Sequence, residues 1–154
     1  GGDRQPGKGY ESLSGDGYRF GVLICYEAIF PEGARNYKRG GADLLVNMTN
    51  DAWFGLTSAP YQHLAMTVFR AVENRLYLAR VANTGISAVV DPLGKILIQT
   101  DLFERTVKQC GVKFIDEKTI YAAYGDVFVY LCATALGLYC LIEFRRRRNV
   151  GRNT

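Results

Sequence analysis

A chain of 154 residues has room for one modest domain and is too short for most two-domain enzymes. With 48% hydrophobic and 22% charged residues it is not a disordered chain, because enough apolar side chain is present to offset the entropy of ordering. The formal charge of +4 does not point to nucleic acid either, since the run Arg145, Arg146, Arg147 and Arg148 accounts for all of it.

Residues 1–17 begin GGDRQPGKGY and read as a polar leader, unsuited to a natural first strand, so the start looks truncated. A layered domain is expected over 18–118. Phe20, Val22 and Ile24 alternate with Gly21, Leu23 and Cys25, which predicts a strand with two apolar faces inside a layered sheet. Cys25 ends that strand and is followed by Tyr26 and Glu27. A helix is expected from Pro31, proline being favoured in a first turn, to the Gly40-Gly41 stop. Leu44, Leu45 and Val46 predict a short buried strand leading to Asn47, and a loop with Asn50, Asp51 and Trp53-Phe54-Gly55 follows.

The spacing predicts a second helix from about Ala59 to Tyr77. Leu64, Val68, Ala71 and Val72 share one side of it; His63, Thr67, Arg70 and Asn74 share another. Leu78 to Ala82 and Ser87 to Val90 read as strands, with a structural turn at Asn83-Thr84-Gly85. Asp91-Pro92-Leu93-Gly94 then turns the chain into a returning strand from Lys95 to Gln99. These elements make an α+β domain of α/β-type layers.

From Val127 to Ile142 the chain carries no charge. Taken back across Asp126 and Gly125 to Tyr121, this stretch approaches the roughly 20 residues that cross a bilayer. A transmembrane helix is therefore expected over 121–144, with tyrosines toward both ends and a basic tail at 145–154. The arginines place that tail in the cytoplasm and the preceding domain on the other side.

Four cysteines and a single histidine fit no zinc pattern, so neither a metal nor another cofactor is expected. Cys132 and Cys140 lie in the apolar stretch, and Cys110 stands beside Gly111 without further signal. Cys25 admits two readings. An α/β strand end exposes a nucleophile together with its following N–H, here that of Tyr26, which could stabilise an oxyanion; a core strand can also simply close on an inert thiol. His63 could pair with a cysteine as a base, but the preferred reading is structural. Arg70 and Glu73 stand at i, i+3 and either form a surface pair of little consequence or pin their helix near the site.

The wider pattern carries a resemblance. GVLICYEAIFPEGAR (21–35), NMTNDAWFG (47–55), QHLAMTVFRAVENR (62–75), VANTGISAVVDPLGK (81–95) and TIYAAYGDVF (119–128) together resemble the apolipoprotein N-acyltransferases, the membrane branch of the nitrilase or carbon–nitrogen hydrolase superfamily. The resemblance covers roughly 18–148. It implies the C-terminal portion of an α-β-β-α sandwich followed by one membrane helix, in a bacterial inner membrane with the domain on the periplasmic side. It also implies that Cys25 takes an acyl chain from a phospholipid as a thioester and passes it to the N-terminal amine of a diacylglyceryl-cysteine apolipoprotein. Tyr26 and Glu27 match the positions directly after the nucleophile, and Glu27 either orients an active-site amine or places a favourable charge at a helix start. Trp53 and Phe54, with Asn50, either line an acyl channel or plug a turn.

The family's Glu and Lys lie farther upstream than this chain reaches. Lys8 and Glu11 lack the family's context, and the chain by itself is expected to be inactive, with a loosened fold and poor solubility. A membrane-tethered amidase or nitrilase-type hydrolase and a non-catalytic remnant remain as alternatives.

Overall fold

The computed structural model describes residues 9–150; residues 1–8 of the expected leader, Lys8 among them, and residues 151–154 of the expected tail lie outside that range. The chain divides into two compact units, Gly1–Ala123 and Tyr124–Thr154.

The first unit is built on a six-stranded sheet in sequence order, β1 (Leu13–Gly15), β2 (Tyr18–Ile24), β3 (Leu44–Thr49), β4 (Tyr77–Ala82), β5 (Ala88–Val90) and β6 (Ile96–Gln99). The three central strands β2, β3 and β4 are parallel, and antiparallel partners flank them on each side. β1 falls within the 1–17 stretch read as a polar leader, past GGDRQPGKGY. Asp16 and Gly17, at φ 49° and 83°, turn the chain so that Leu13 pairs with Phe20. A short polar edge strand has no apolar alternation to betray it.

The two parallel crossovers put α1 (Pro31–Arg39) and α2 (Ala59–Asn74) against the sheet. α1 ends where expected, with Gly41 at φ 83° supplying the left-handed residue past the C-cap. α2 stops at Asn74, before the expected Tyr77, because Arg75 turns left-handed at φ 52° and the Leu76 N–H closes onto the Ala71 carbonyl. Leu23, Leu45, Leu78 and Val90 from the sheet meet Ala34 and Tyr37 of α1 and Ala71 of α2 in the core. Only this face of β2 is fully covered, a second departure from the sequence reading. On the opposite face Ile24, Met48 and Val81, which are paired in register, are 53%, 53% and 58% exposed.

Gly21 is required by packing, since a Cβ there would lie 2.6 and 2.8 Å from Tyr37 Cβ and Cδ2. Tyr37 cannot withdraw freely, because its hydroxyl donates to the Val22 carbonyl at 2.9 Å. Gly21→Ala is therefore expected to destabilise the domain by about 1–3 kcal/mol, as overpacking does. Thermal unfolding checks this, and an unchanged midpoint would refute it.

Past β6 the chain runs without regular structure to α3 (Ile120–Tyr124). Buried Lys38 donates to the Ile115 carbonyl at 3.1 Å, and Arg35 donates to the carbonyls of Tyr121, Ala122 and Ala123. These bonds tie the returning segment to α1.

In the second unit α4 runs from Val127 to Val150. Among the described residues it is the one helix long and apolar enough to cross a membrane, with mean hydropathy 2.0 over Val127–Arg146. The expected 121–144 helix is thus not continuous. Gly125, at φ 76°, separates α3 from α4 and moves the apolar helix toward the C-terminus.

Candidate active site

Cys25 is the first residue after β2 and opens a 3₁₀ turn, Cys25–Ile29. Its φ of 50° is left-handed, a conformation that a non-glycine residue holds only when its surroundings enforce it. Backbone hydrogen bonds account for part of that enforcement. The Ile24 N–H donates to Glu27 Oε2 at 2.7 Å, and the Phe30 N–H donates to the Glu27 carbonyl at 3.2 Å. Through the first of these bonds a carboxylate oxygen of Glu27 closes the turn that carries the thiol. Arg70 holds the far end of this turn, donating from Nη1 to the Ile29 carbonyl at 2.9 Å and from Nη2 to Glu73 Oε1 at 2.9 Å. Arg70 is only 6% exposed, so the pair is not a surface one and α2 is pinned to the Cys25 turn.

Below the turn lies a buried polar network. Asn47, at 0% exposure on β3, donates from Nδ2 to the carbonyls of Leu23 at 3.0 Å and Cys25 at 3.3 Å. Arg80 of β4 donates from Nη1 to Asn47 Oδ1 at 2.5 Å and to Thr67 Oγ1 at 3.2 Å, from Nη2 to Asp51 Oδ2 at 2.7 Å, and from Nε to the Ile86 carbonyl at 3.2 Å. The other Asp51 oxygen accepts from Thr49 Oγ1 at 2.9 Å and lies 3.1 Å from His63 Nδ1. The same ring nitrogen is 3.1 Å from Arg80 Nη2, so it stands between the carboxylate and the guanidinium. The polar side of α2 (His63, Thr67, Arg70 and Asn74) is wholly buried, while Tyr61, Met66, Phe69 and Val72 are exposed, Val72 departing from the apolar side on which it was expected. The stripe was legible in the sequence, but not that it turned inward.

The structure brings together some of the expected site residues. Tyr26 lies over the His63 ring, with centroids 5.1 Å apart, and Phe54 meets that ring edge-on at 6.2 Å. Trp53 points away and is 76% exposed. Asn50 accepts from the Ala52 N–H and from Thr84 Oγ1, joining its loop to the Asn83-Thr84-Gly85 turn. Gly85 allows Asp51 to sit against that turn, since a Cβ there would lie 2.8 Å from Asp51 Cβ and Cγ.

Arg80 was missed in the sequence, where it stands in the apolar run YLARVA. A cation inside a central strand demands a buried acid, and Asp51, directly after another strand, is the one nearby candidate.

His63 is kept neutral. Burial lowers its pKa most and the Arg80 cation adds to this, while Asp51 and the Cys25 carbonyl oppose. When a base has a folded pKa below its unfolded value, its contribution to stability is complete above that value. The contribution is lost as pH falls through 6.5 toward the folded pKa, because the unfolded chain takes up the proton first. The unfolding temperature is thus expected to drop as the medium is acidified below 6.5, and His63→Gln to flatten that drop. Equal slopes in the two proteins would assign the effect elsewhere.

Residues 4–122 match the carbon-nitrogen hydrolase family model. The apolipoprotein N-acyltransferase of Geobacter metallireducens is 48% identical over 95% of this chain and 28% of its own length. That of Rickettsia bellii is 46% identical over 71% of this chain and 22% of its own length. That of Thermotoga maritima is 36% identical over 96% of this chain and 30% of its own length. The chain therefore spans under a third of these curated relatives.

Among solved structures, Nit3 of Saccharomyces cerevisiae, from branch 10 of the nitrilase superfamily, superposes with a TM-score of 0.57 at 29% identity. The match covers 66% of this chain and 40% of Nit3. An amidase mutant from Nesterenkonia sp. AN1, carrying acrylamide added at its active-site cysteine, gives 0.51 at 29% identity, over 63% of this chain and 40% of its own.

Proposed function

The chain belongs to the carbon–nitrogen hydrolase family, and on that premise we propose that it carries the nucleophile, Cys25, of an N-acyltransferase that matures lipoproteins. The observation that carries the proposal is the left-handed Cys25 at the end of a central parallel strand, held there by a buried network. Strain of this kind concentrates where a side chain must be presented to a substrate.

In the proposed reaction the Cys25 thiolate attacks the ester carbonyl of a phospholipid. A C–S bond forms, the ester C–O bond breaks, and the lysophospholipid alkoxide leaves and takes up a proton. The amine of a diacylglyceryl-cysteine then attacks the thioester; the C–N bond forms, the C–S bond breaks and the thiol is regenerated. The Tyr26 N–H is proposed to stabilise the oxyanion in both steps. His63 is given no part as base in this scheme; its Nδ1 lies 3.1 Å from both Asp51 Oδ1 and Arg80 Nη2, a structural position. Tyr26 and Phe54 would form an apolar wall of the site, and Arg70 with Glu73 would hold the turn. The apolar helix, Val127–Arg146, is proposed to span the bacterial inner membrane. Its arginines would be cytoplasmic and the domain periplasmic, so that both lipid-anchored substrates reach the thiol.

The named relatives favour the acyltransferase; the amidase among the structural neighbours supports a tethered hydrolase as the second reading. Mass spectrometry of the protein expressed from its full gene and purified from membranes separates them. A fatty-acyl mass on the Cys25 peptide, removed by hydroxylamine, is expected. A fully unmodified Cys25 in folded, phospholipid-supplied protein would sink the acyltransferase reading.

A further inference from the structure

Two of the three central parallel strands place polar residues beneath the Cys25 turn, β3 with Asn47 and β4 with Arg80, and Arg80 joins Asn47 to Asp51. It is 1% exposed; its planar fork donates to the Ile86 carbonyl, Thr67, Asn47 and Asp51 and lies 3.1 Å from His63 Nδ1. Stability alone does not explain such a residue. Burying an ion pair carries a desolvation penalty that its attraction barely offsets, and apolar residues of similar volume often serve as well or better.

The path of the contacts suggests the reason. Because Arg80 donates to Asn47 Oδ1, the amide can face only one way, with its Nδ2 protons toward the carbonyls of Leu23 and Cys25. Those two carbonyls flank Ile24 and bracket the point where the strand breaks into the left-handed residue. On its other side Arg80 holds Asp51, which holds His63, over which Tyr26 lies. The residue after the thiol and the carbonyl of the thiol residue are thus both tied to one guanidinium.

We propose that Arg80 is a positioning residue for Cys25: through Asn47 it fixes the backbone of the nucleophile, and through Asp51 and His63 it fixes the aromatic cover beside it. Burial lowers the Arg80 pKa most, and the attractions of Asp51 and Cys25 oppose that lowering. The proposal rests on Cys25 as the reactive thiol but is tested without acyl transfer.

The experiment is alkylation by iodoacetamide across the pH range in which thiols titrate, on the protein expressed from its full gene and extracted in detergent. The rates of Cys25 and Cys110 are read from the same tube by peptide mass; Cys110 lines a cavity with Arg80, but its thiol donates to the Gly111 carbonyl and to no member of the network. Asn47→Asp keeps the size and the contact to Arg80 but removes the donor to Cys25. It is expected to slow Cys25 about tenfold, the scale of one lost hydrogen bond near a charge, and to move its pH profile upward. Cys110 should keep its rate. Arg80→Lys, which keeps the charge but lacks the fork, should produce the same selective loss. Unchanged Cys25 kinetics in both variants would overturn the proposal. So would equal changes at Cys25 and Cys110, which would mark general loosening of the fold. Selective slowing in a protein whose Cys25 never carries an acyl group would keep the positioning role and discard the acyltransferase reading.

Discussion

Replacing Asp51 with alanine is expected to destabilise the domain by about 3–5 kcal/mol, a large part of the stability of a single domain. The reason is asymmetry. Asp51 and Arg80 have side chains at 0% exposure and 2.7 Å apart, so removing the carboxylate leaves a guanidinium in a region that water does not reach. Thr49 loses its acceptor and His63 a partner at the same time. Arginine cannot escape the penalty by shedding its proton. A double variant, Asp51→Ala with Arg80→Met, removes both charges and should recover much of the loss, so that the two changes are strongly non-additive. Denaturant unfolding of the full protein checks both statements. A single variant within about 1 kcal/mol of the parent would mean that water or relaxation screens Arg80 far better than the structure implies.

Cys25→Gly is expected to abolish acyl transfer while leaving the domain as stable as the parent or more stable by up to about 1 kcal/mol. A non-glycine residue at φ 50° stores strain of roughly 1–2 kcal/mol, and glycine removes it while adding some entropy to the unfolded chain. Cys25→Ala, which keeps a Cβ, should be equally inactive without the gain. The pair separates chemistry from conformation: a thiol needed for the reaction is lost in both, but strain is relieved in only one. Acyl transfer assays and unfolding midpoints measured on both variants decide the matter. Residual transfer in either variant would remove Cys25 as nucleophile, and a Cys25→Gly protein clearly weaker than Cys25→Ala would remove the strain.

Much of the fold was legible from local chemistry. The proline start and glycine stop of α1 act within one turn of chain, and so does the turn at Asp91-Pro92-Leu93-Gly94. The parallel strands announced themselves as short apolar runs, because burial beneath helices tolerates little else. β1 was not legible, being short and polar, and neither was the break at Gly125, where a glycine beside aspartate looked like a tolerable interruption of an apolar helix.

The candidate site divides in the same way. The cysteine at a strand end, its neighbours Tyr26 and Glu27, and the polar stripe of α2 follow from spacing and motif alone. Tertiary structure decided what the stripe faces, that Phe54 and not Trp53 joins the site, and that Arg80 lies at its centre. Periodicity reports which residues share a face, since that depends on the geometry of one element. It does not report which polar face is buried, because that depends on whether a partner of opposite charge arrives from elsewhere in the chain. Asp51 and Arg80 are 29 residues apart and meet only because two parallel strands lie side by side.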